Sequence, residues 1–100
     1  MGYTTALEAL KANKTKLQTI FERYNVTNPR LFGSVARGDS NGQSDLEILV
    51  SRTGPMDYVR IGALRREVTA AVGWPTHVVF ESALRHGVRN EIQGDLTPLF

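Results

Sequence analysis

The sequence contains no cysteine among its 100 residues. A chain without cysteine cannot form a disulfide, use a thiol nucleophile or hold zinc through thiolates. Disulfide scaffolds, thiol enzymes and cysteine-based zinc sites are therefore excluded. Because no disulfide has to be preserved, a reducing cytoplasmic compartment is the expected setting.

Long hydrophobic runs and a strong charge of one sign are also missing. No apolar stretch approaches the roughly 20 residues of a membrane span, and no charged segment followed by an apolar one opens the chain as in a signal peptide. Twelve Lys and Arg against ten Asp and Glu leave a formal net charge of +2, which is no strong signal for nucleic acid binding. Neither a membrane nor a nucleic acid is an expected partner.

The chain does have enough apolar material to fold. Hydrophobic residues make up 41% of it, well above the range of disordered proteins. The length suits one small domain over residues 1–100 and is too short for two separate cores. A core of this size is marginal, so a bound partner or ligand is expected to contribute to stability.

Apolar spacing and turn residues divide the chain into alternating helices and strands. Helices are predicted over 5–24, 34–37, 55–72 and 82–96, strands over 30–32, 45–50 and 76–80, and a turn-rich loop over 39–44. This order predicts an α/β (α+β) fold with two layers, in which a small mixed three-stranded sheet packs against helices.

The segment 33–38, which reads GSVARG, is the first that could carry chemistry. Gly33 would let the backbone come close to a ligand, and the free amides of a helix start, together with the Ser34 hydroxyl, could hold phosphate oxygens. Arg37 could add charge-assisted contacts to the same group. The structural alternative is a tight turn in which Ser34 only caps the short helix.

Two acids on the second predicted strand form the next candidate. Asp45 and Glu47 are separated by one residue, so the alternation of a strand puts both carboxylates on one face, about 6 to 7 Å apart along the backbone. Adjacent carboxylates repel each other unless a cation lies between them. Mg²⁺ prefers such oxygen ligands and shares them with substrate phosphates. The alternative is a strand whose polar face meets water.

The third predicted strand carries a histidine. His77 shares a strand face with Val79 and Glu81, opposite the core residues Val78 and Phe80. That geometry directs His77 toward the acidic strand, although a lone histidine is more often a surface residue than a functional one. Glu81 lies about 13 Å farther along the strand and is not expected to take the place of His77.

The combination of these features resembles the minimal nucleotidyltransferase family, which belongs to the DNA polymerase beta superfamily. A Gly-Ser turn at Gly33 and Ser34 precedes a strand that carries acid-x-acid, with twelve positions from Gly33 to Asp45. The first helix, the helix that ends near Gly73 and the third strand also fit the family. The resemblance covers 80 to 90 of the 100 residues.

The resemblance implies a role for each matching position. Gly33, Ser34 and Arg37 match the residues that bind the nucleotide phosphates, and Asp45 and Glu47 match the two acids that bind Mg²⁺, for which Mn²⁺ can substitute. The implied reaction transfers a nucleoside monophosphate, most simply AMP from ATP, to an acceptor hydroxyl. The implied partner is a HEPN-domain protein in a toxin–antitoxin pair, and a homodimer is also compatible with a chain of this size.

Two positions depart from the family pattern. Small members usually have aspartate where this chain has Glu47, and the third strand commonly carries a third catalytic acid where this chain has His77. A neutral imidazole could accept a proton but is a poor Mg²⁺ ligand. Two functions therefore stay open, an active nucleotidyltransferase and a catalytically impaired module that binds a nucleotide or neutralises its partner by binding alone.

Overall fold

The computed structural model of the chain describes residues 3–38 and 44–100. In this part of the chain the helices are α1 (Ala6–Ala12), α2 (Lys14–Arg23), α3 (Gly33–Arg37), α4 (Tyr58–Val72) and α5 (His86–Ile92). The strands are β1 (Val26–Phe32), β2 (Leu46–Arg52), β3 (Thr76–Phe80) and β4 (Thr97–Pro98). None of these helices combines the length and the apolar character needed to cross a membrane. The predicted turn-rich loop at 39–44 lies outside the described residues, except for Ser44.

The strands form a mixed sheet in the order β3-β2-β1-β4. β2 and β3 run parallel, whereas β1 is antiparallel to both β2 and β4. The predicted two-layer architecture, a small mixed sheet packed against helices, is confirmed, and β4 adds a short edge strand to the three predicted ones. Since β4 has only two residues, it is too short to show the alternation by which a strand is recognised in sequence.

β1 begins four residues before the predicted strand because the chain accommodates a proline. The pairing with β2 shifts register between Thr27 and Arg30. Within this irregularity Asn28 has a φ of 51°, in the left-handed region that asparagine enters more readily than most residues. Pro29, which has no amide proton to donate, therefore interrupts the pairing without ending the strand.

One face of the sheet, the packed face, lies against α2 and α4 and forms the core. From β2, Leu46, Ile48 and Val50 are fully buried on this face, as are Leu64 and Val68 of α4. These strand residues alternate with residues on the opposite side of the sheet, which we call the open face. The predicted strand at 45–50 and the predicted helix at 55–72 are both confirmed, as β2 and α4.

The predicted helix at 5–24 is wrong in one respect, because it is two helices that meet at Asn13. The Asn13 side chain is 5% exposed, and its amide Nδ2 donates hydrogen bonds to the carbonyl of Ala9 at 2.8 Å, the carbonyl of Val72 at 3.3 Å and the hydroxyl of Tyr3 at 3.1 Å. A buried amide that binds the end of α4 is a tertiary contact, which helical periodicity does not reveal.

The predicted helix at 82–96 is also wrong as a continuous element. The C-terminal segment, residues 81–100, consists of a 3-10 turn, α5, a second 3-10 turn at Gln93–Asp95 and β4. Leu84 and Arg85 between the first turn and α5 are extended. The segment lies over the open face at Ile92 and Leu96 and then joins the edge of the sheet as β4. There the Leu99 amide donates to the Pro29 carbonyl at 3.1 Å, and Leu99, which is 3% exposed, belongs to the same core cluster as Leu31 and Ile48.

Asn13→Asp tests the junction between α1 and α2. Aspartate has nearly the same shape but cannot donate to the two carbonyls, and it places a negative charge beside them in a buried position. We expect the free energy of unfolding at pH 7, measured with urea, to fall by about 3 kcal/mol, compared with about 1 to 2 kcal/mol for Asn13→Ala. Equal stability of Asn13→Asp and wild type would contradict this account of the helix break.

Candidate active site

The open face of the sheet brings the predicted acids to its centre. Asp45 and Glu47 lie on this face at the start of β2. Glu47 pairs with His77 of β3 on one side and with Phe32 of β1 on the other. The register therefore places His77 beside the acidic pair, as the alternation of β3 predicts.

Asp45 and His77 form a direct contact. Nε2 of His77 lies 2.9 Å from Oδ2 of Asp45, and both side chains are about half exposed, 63% for His77 and 48% for Asp45. Parallel pairing of β2 and β3 makes the contact available, because Asp45 immediately precedes the position paired with Thr76. Because the Asp45 side chain is half exposed, its second carboxylate oxygen is accessible to a ligand.

The backbone on both sides of Asp45 is held by the segment that precedes β3. The indole Nε1 of Trp74 donates to the Ser44 carbonyl at 3.1 Å, and the Leu46 amide donates to the Pro75 carbonyl at 3.0 Å. Sequence reasoning missed this role of Trp74. The chain's one tryptophan, placed before a proline at the start of a strand, was the available signal.

Gly33 lies against the carboxylate of Glu47. Its φ is +83°, and a Cβ built on it would lie 1.8 Å from Oε2 of Glu47, a distance no pair of nonbonded atoms tolerates. The left-handed backbone is the reason that glycine is favoured as the first residue of α3, and a side chain at this position would also displace the Glu47 carboxylate. The structure thus brings the Gly-Ser turn and the acidic strand together.

Ser34 does not cap α3. The N-cap residue is Phe32, which is extended, and Ser34 lies inside the first turn of the helix, half-buried. Its hydroxyl forms no hydrogen bond with another described residue, so the alternative in which Ser34 only caps the helix is wrong. The hydroxyl is available to a ligand beside Gly33.

Arg37, the last residue of α3, faces the C-terminal segment. Its Nη1 donates to Oδ2 of Asp95 at 2.8 Å, and the Asp95 side chain is only 14% exposed. This ion pair links the helix of the Gly-Ser turn to residues that cover the open face. The partner of Arg37, 58 positions away in the chain, was not indicated by any spacing in the sequence.

Glu81 belongs to a separate polar cluster farther along the open face. Ser51 donates to it at 2.7 Å, Arg30 at 3.3 Å, and Arg89 forms an ion pair with it at 3.2 Å. The hydrogen bond from Ser51 is the main cause that holds the pKa of Glu81 below its ordinary value, with the nearby arginines adding to it against the opposing effect of burial. Glu81 is thus engaged away from Asp45, in agreement with the expectation that it does not replace the third acid.

The residues around Glu47 fit a divalent cation of the Mg²⁺ type. Asp45 and Glu47 supply carboxylate oxygens, the ligand type that Mg²⁺ prefers, while most of its remaining ligands are usually waters and substrate phosphates. Within residues 3–38 and 44–100, no group of three or more His, Asp or Glu side chains is arranged to hold a metal ion. A site of this kind would bind the ion together with a substrate and not as a closed protein cage.

Comparison with known proteins gives relatives in sequence and in fold. No model of a known protein family matches the chain. A protein of Methanocaldococcus jannaschii named "Putative protein adenylyltransferase MJ0128" is 29% identical over 76 residues, which cover 75% of this chain and 78% of that protein. A solved structure described as a "putative minimal nucleotidyltransferase" is 27% identical, with a TM-score of 0.81 over 97% of this chain and 99% of that chain.

More distant structures share the fold alone. A chain in the structure of a tri-AMPylated Shewanella oneidensis HEPN toxin in complex with MNT antitoxin has a TM-score of 0.69 at 15% identity, covering 91% of this chain and 71% of that chain. A chain of a toxin–antitoxin structure with AMP-PNP has a TM-score of 0.73 at 18% identity, covering 88% of this chain and 73% of that chain. The predicted resemblance and the predicted fold are both confirmed.

The close approach of Gly33 to Glu47 predicts a difference between two glycine substitutions. Gly33 and Gly38 both have positive φ, but no described atom lies within 4 Å of a Cβ placed at Gly38. We expect Gly38→Ala to lower the free energy of unfolding by about 1 kcal/mol through backbone strain. Gly33→Ala should lower it by about 1 kcal/mol more, because the Glu47 side chain has to move away from the new Cβ.

A double-mutant cycle separates the two causes. Glu47→Ala removes the clashing carboxylate, so Gly33→Ala made in that background should cost no more stability than Gly38→Ala does. Thermal and urea unfolding of the single and double variants measure the coupling. Additive effects of the substitutions at Gly33 and Glu47 would show that displacement of the Glu47 carboxylate costs no measurable stability.

Proposed function

We propose that this chain, a nucleotidyltransferase-like protein that resembles the minimal nucleotidyltransferases in fold and sequence, transfers a nucleoside monophosphate to an acceptor hydroxyl. The nucleotide is ATP and the transferred group AMP. The acceptor is a hydroxyl of a protein or small molecule, with a HEPN-domain toxin as the first protein to test. The chain would then be the antitoxin of a toxin–antitoxin pair.

The observation that carries the proposal is the contact between Gly33 and Glu47. A Gly-Ser turn and a pair of acids are each common in unrelated proteins, and each has a structural explanation when taken alone. Here a Cβ on Gly33 would meet the Glu47 carboxylate, so a phosphate bound at the turn would lie beside the acids. This juxtaposition supports a site at which a phosphate group and a cation are held together.

Asp45 and Glu47 are the residues that would hold Mg²⁺, or Mn²⁺ in its place. The bound ion would neutralise phosphate charge and polarise the α-phosphate. Trp74 and Pro75 hold the backbone around Asp45, so the chain segment that carries this carboxylate is positioned before any ligand arrives. Preorganisation of this kind contributes to catalysis because the site does not have to rearrange during the reaction.

Gly33 and Ser34 would bind the phosphates that leave as pyrophosphate. Gly33 allows the phosphate oxygens to approach the backbone, and the Ser34 hydroxyl, without a hydrogen bond to a described residue, can donate to them. Arg37 lies at the far end of the same short helix, where its ion pair with Asp95 links that helix to the C-terminal segment.

The acceptor hydroxyl would attack the α-phosphorus from the side opposite pyrophosphate. A bond forms between the hydroxyl oxygen and the α-phosphorus, and the bond from that phosphorus to the bridging oxygen of pyrophosphate breaks. The hydroxyl proton must leave during the attack. A neutral His77 is the described group beside Asp45 that can accept it, through one ring nitrogen.

The proposal of a HEPN-domain partner and acceptor rests on the relatives. One is named as an adenylyltransferase of proteins, and one fold neighbour comes from a complex in which the HEPN toxin carries AMP. The neighbour crystallised with AMP-PNP supports an adenine nucleotide. Extension of each property to this chain is part of the proposal.

The hydrogen bond between His77 and Asp45 favours a second candidate function. In the family pattern a third acid stands where this chain has His77, and the histidine instead occupies one oxygen of a proposed metal ligand. A site altered in this way could bind an NTP or the partner without turnover. The chain would then neutralise its partner by binding alone.

Asp45→Asn tests the metal and nucleotide site. The substitution removes one of two carboxylate charges while it keeps the shape of the side chain, so we expect the rise in Tm caused by Mg²⁺ with ATP to disappear. Glu22→Gln, on the exposed surface of α2, removes the same charge elsewhere and should keep the rise. If Asp45→Asn retains the full rise in Tm, the metal assignment fails.

The same variants decide between transfer and binding. Purified protein is mixed with extract from its own organism and ATP labelled at the α-phosphate, first with Mg²⁺ and then with Mn²⁺. A labelled band that Asp45→Asn abolishes and Glu22→Gln preserves establishes transfer and gives the mass of the acceptor. No band with either metal, together with a retained rise in Tm, would assign the chain to the second candidate function.

His77→Asp tests the departure from the family pattern. A third carboxylate next to Asp45 repels it in the absence of a cation. We therefore expect the metal-free Tm to fall and the rise in Tm caused by Mn²⁺ to exceed that of wild type. Label transfer should also rise, by about tenfold or more, if the missing acid limits the reaction. An unchanged metal response in a folded variant would show that position 77 does not face the ion.

A further inference from the structure

A cavity of about 190 Å³ lies on the open face under the C-terminal segment. Its apolar walls are Leu49 of β2, Ile92 at the end of α5 and Leu96 just before β4, and its polar lining includes Arg30, Glu81 and Gln93. Leu49 is fully buried, whereas Ile92 and Leu96 are only half-buried. The cavity is thus a gap between the sheet and the segment that crosses it.

The size and lining of the cavity suit a flat heterocyclic ring. An engineered apolar protein cavity of about 150 Å³ binds benzene, so this volume accommodates a ring of that kind or somewhat larger. Small-molecule sites are typically lined by apolar side chains together with a few polar groups that orient the ligand. Three aliphatic walls and a polar edge meet this description.

The cavity adjoins the candidate active site along β2. Leu49 follows Glu47 by two residues on the same face of the strand, a spacing of about 7 Å. On β1, Arg30 pairs with Leu49 just as Phe32 pairs with Glu47, and Phe32 directly precedes the Gly-Ser turn. A ligand held at Glu47 can therefore reach the cavity with a group of ordinary nucleoside length.

A second contact joins the cavity wall to the Gly-Ser turn. Asp95 lies in the chain between the lining residues Gln93 and Leu96, and its carboxylate accepts a hydrogen bond from Arg37 of α3 at 2.8 Å. The Asp95 side chain is 14% exposed and that of Arg37 is 46% exposed, so the ion pair links the segment to α3 at a partly shielded position. The spacing along β2 thus places the cavity near the acidic pair, and the ion pair between Arg37 and Asp95 connects its surroundings to the Gly-Ser turn.

We infer that this cavity receives the nucleobase of the nucleotide, an inference that rests on the proposed function. With the phosphates at Gly33 and Ser34 and the α-phosphate at Asp45 and Glu47, the ring enters between Leu49 and Leu96. The C-terminal segment thereby supplies the part of the site that distinguishes an NTP from a bare polyphosphate.

Gln93 is the residue placed to read the edge of the ring. Arg30 and Glu81 are bound to each other and to Ser51, and Arg89, which also lines the cavity, forms an ion pair with Glu81. The hydrogen-bonding groups of these three residues are therefore engaged within the polar cluster. The Gln93 amide forms no hydrogen bond with a described residue, and it can both donate and accept. Such an amide can therefore form a hydrogen bond with a donor or with an acceptor on the edge of a base.

Leu96→Trp tests the inference because the indole fills the cavity. Binding of ATP and of inorganic tripolyphosphate, both with Mg²⁺, is measured by titration calorimetry for wild type, Leu96→Trp and Val88→Trp. Val88 lies in the same segment but outside the cavity lining, 39% exposed. We expect Leu96→Trp to weaken ATP binding about tenfold or more and to leave tripolyphosphate binding unchanged, and Val88→Trp to change neither.

The two ligands separate failure of this inference from failure of the proposed function. If wild type binds neither ATP nor tripolyphosphate, the proposed function itself fails. If wild type binds ATP and the Leu96→Trp variant binds it equally well, the nucleobase does not enter the cavity and the inference is overturned, whereas the proposed function stands.

A measurement on the unmodified protein covers the case in which Leu96→Trp does not fold. ATP that carries an azide on its base is bound with Mg²⁺ and activated by light, and the adduct is located by mass spectrometry after trypsin digestion. The inference expects the label on the tryptic peptide 90–100, which contains Ile92, Gln93 and Leu96, or on Leu49. Label confined to β3 around His77 would place the base on the other side of Glu47 and overturn it.

Discussion

The missing side chain at Gly33 is the constraint on which the candidate site depends. The carboxylate of Glu47 occupies the space that any larger residue would fill, with a built Cβ only 1.8 Å from Oε2. Because β1 ends at Phe32, which pairs with Glu47, the chain has to turn away from the sheet directly beside an acid. A left-handed glycine makes that turn without strain, and the helix α3 then starts next to β2.

The rest of the fold follows from a division between the two faces of the sheet. On the packed face the aliphatic residues of β2 are fully buried against α2 and α4, which makes the position of the strand rigid. The same strand therefore presents Asp45 and Glu47 on the open face from a fixed base. Within residues 3–38 and 44–100, the C-terminal segment covers the Leu49 end of that face, while the Asp45 side chain at the other end is 48% exposed. One strand thus carries both a buried apolar residue and an accessible acid.

The sequence was sufficient for the parts of the fold that rest on local periodicity. The alternation of β2, the apolar stripe of α4 and the placement of His77 beside Asp45 all follow from the two-residue period of strands or the helical period. The sequence was not sufficient where a contact with a residue far away in the chain determines where an element ends. The break at Asn13 depends on the carbonyl of Val72, 59 positions away, and no local pattern carries that information.

The same limit applies to the C-terminal segment. Gly87 and Gly94 weaken a helical pattern without ending it, and helix propensity alone favours one helix over 82–96. Tertiary contacts override this helix propensity, since Leu99 becomes buried and Asp95 forms an ion pair with Arg37. The residues that line the cavity could therefore be recognised as a group only in the three-dimensional structure, because no sequence pattern distinguishes them.

His77 changes the charge balance of the site more than its shape. Three carboxylates around one point would carry a formal charge of −3 and repel one another strongly without a cation. Asp45 and Glu47 beside a neutral or protonated imidazole carry −2 or −1, and the hydrogen bond from His77 further steadies Asp45. The fold is therefore less dependent on a metal for its stability, but the attraction for a divalent cation is weaker by the same electrostatic reasoning. Under the proposed function, this change at position 77 is therefore the feature of the site that bears most directly on the choice between transfer and binding alone.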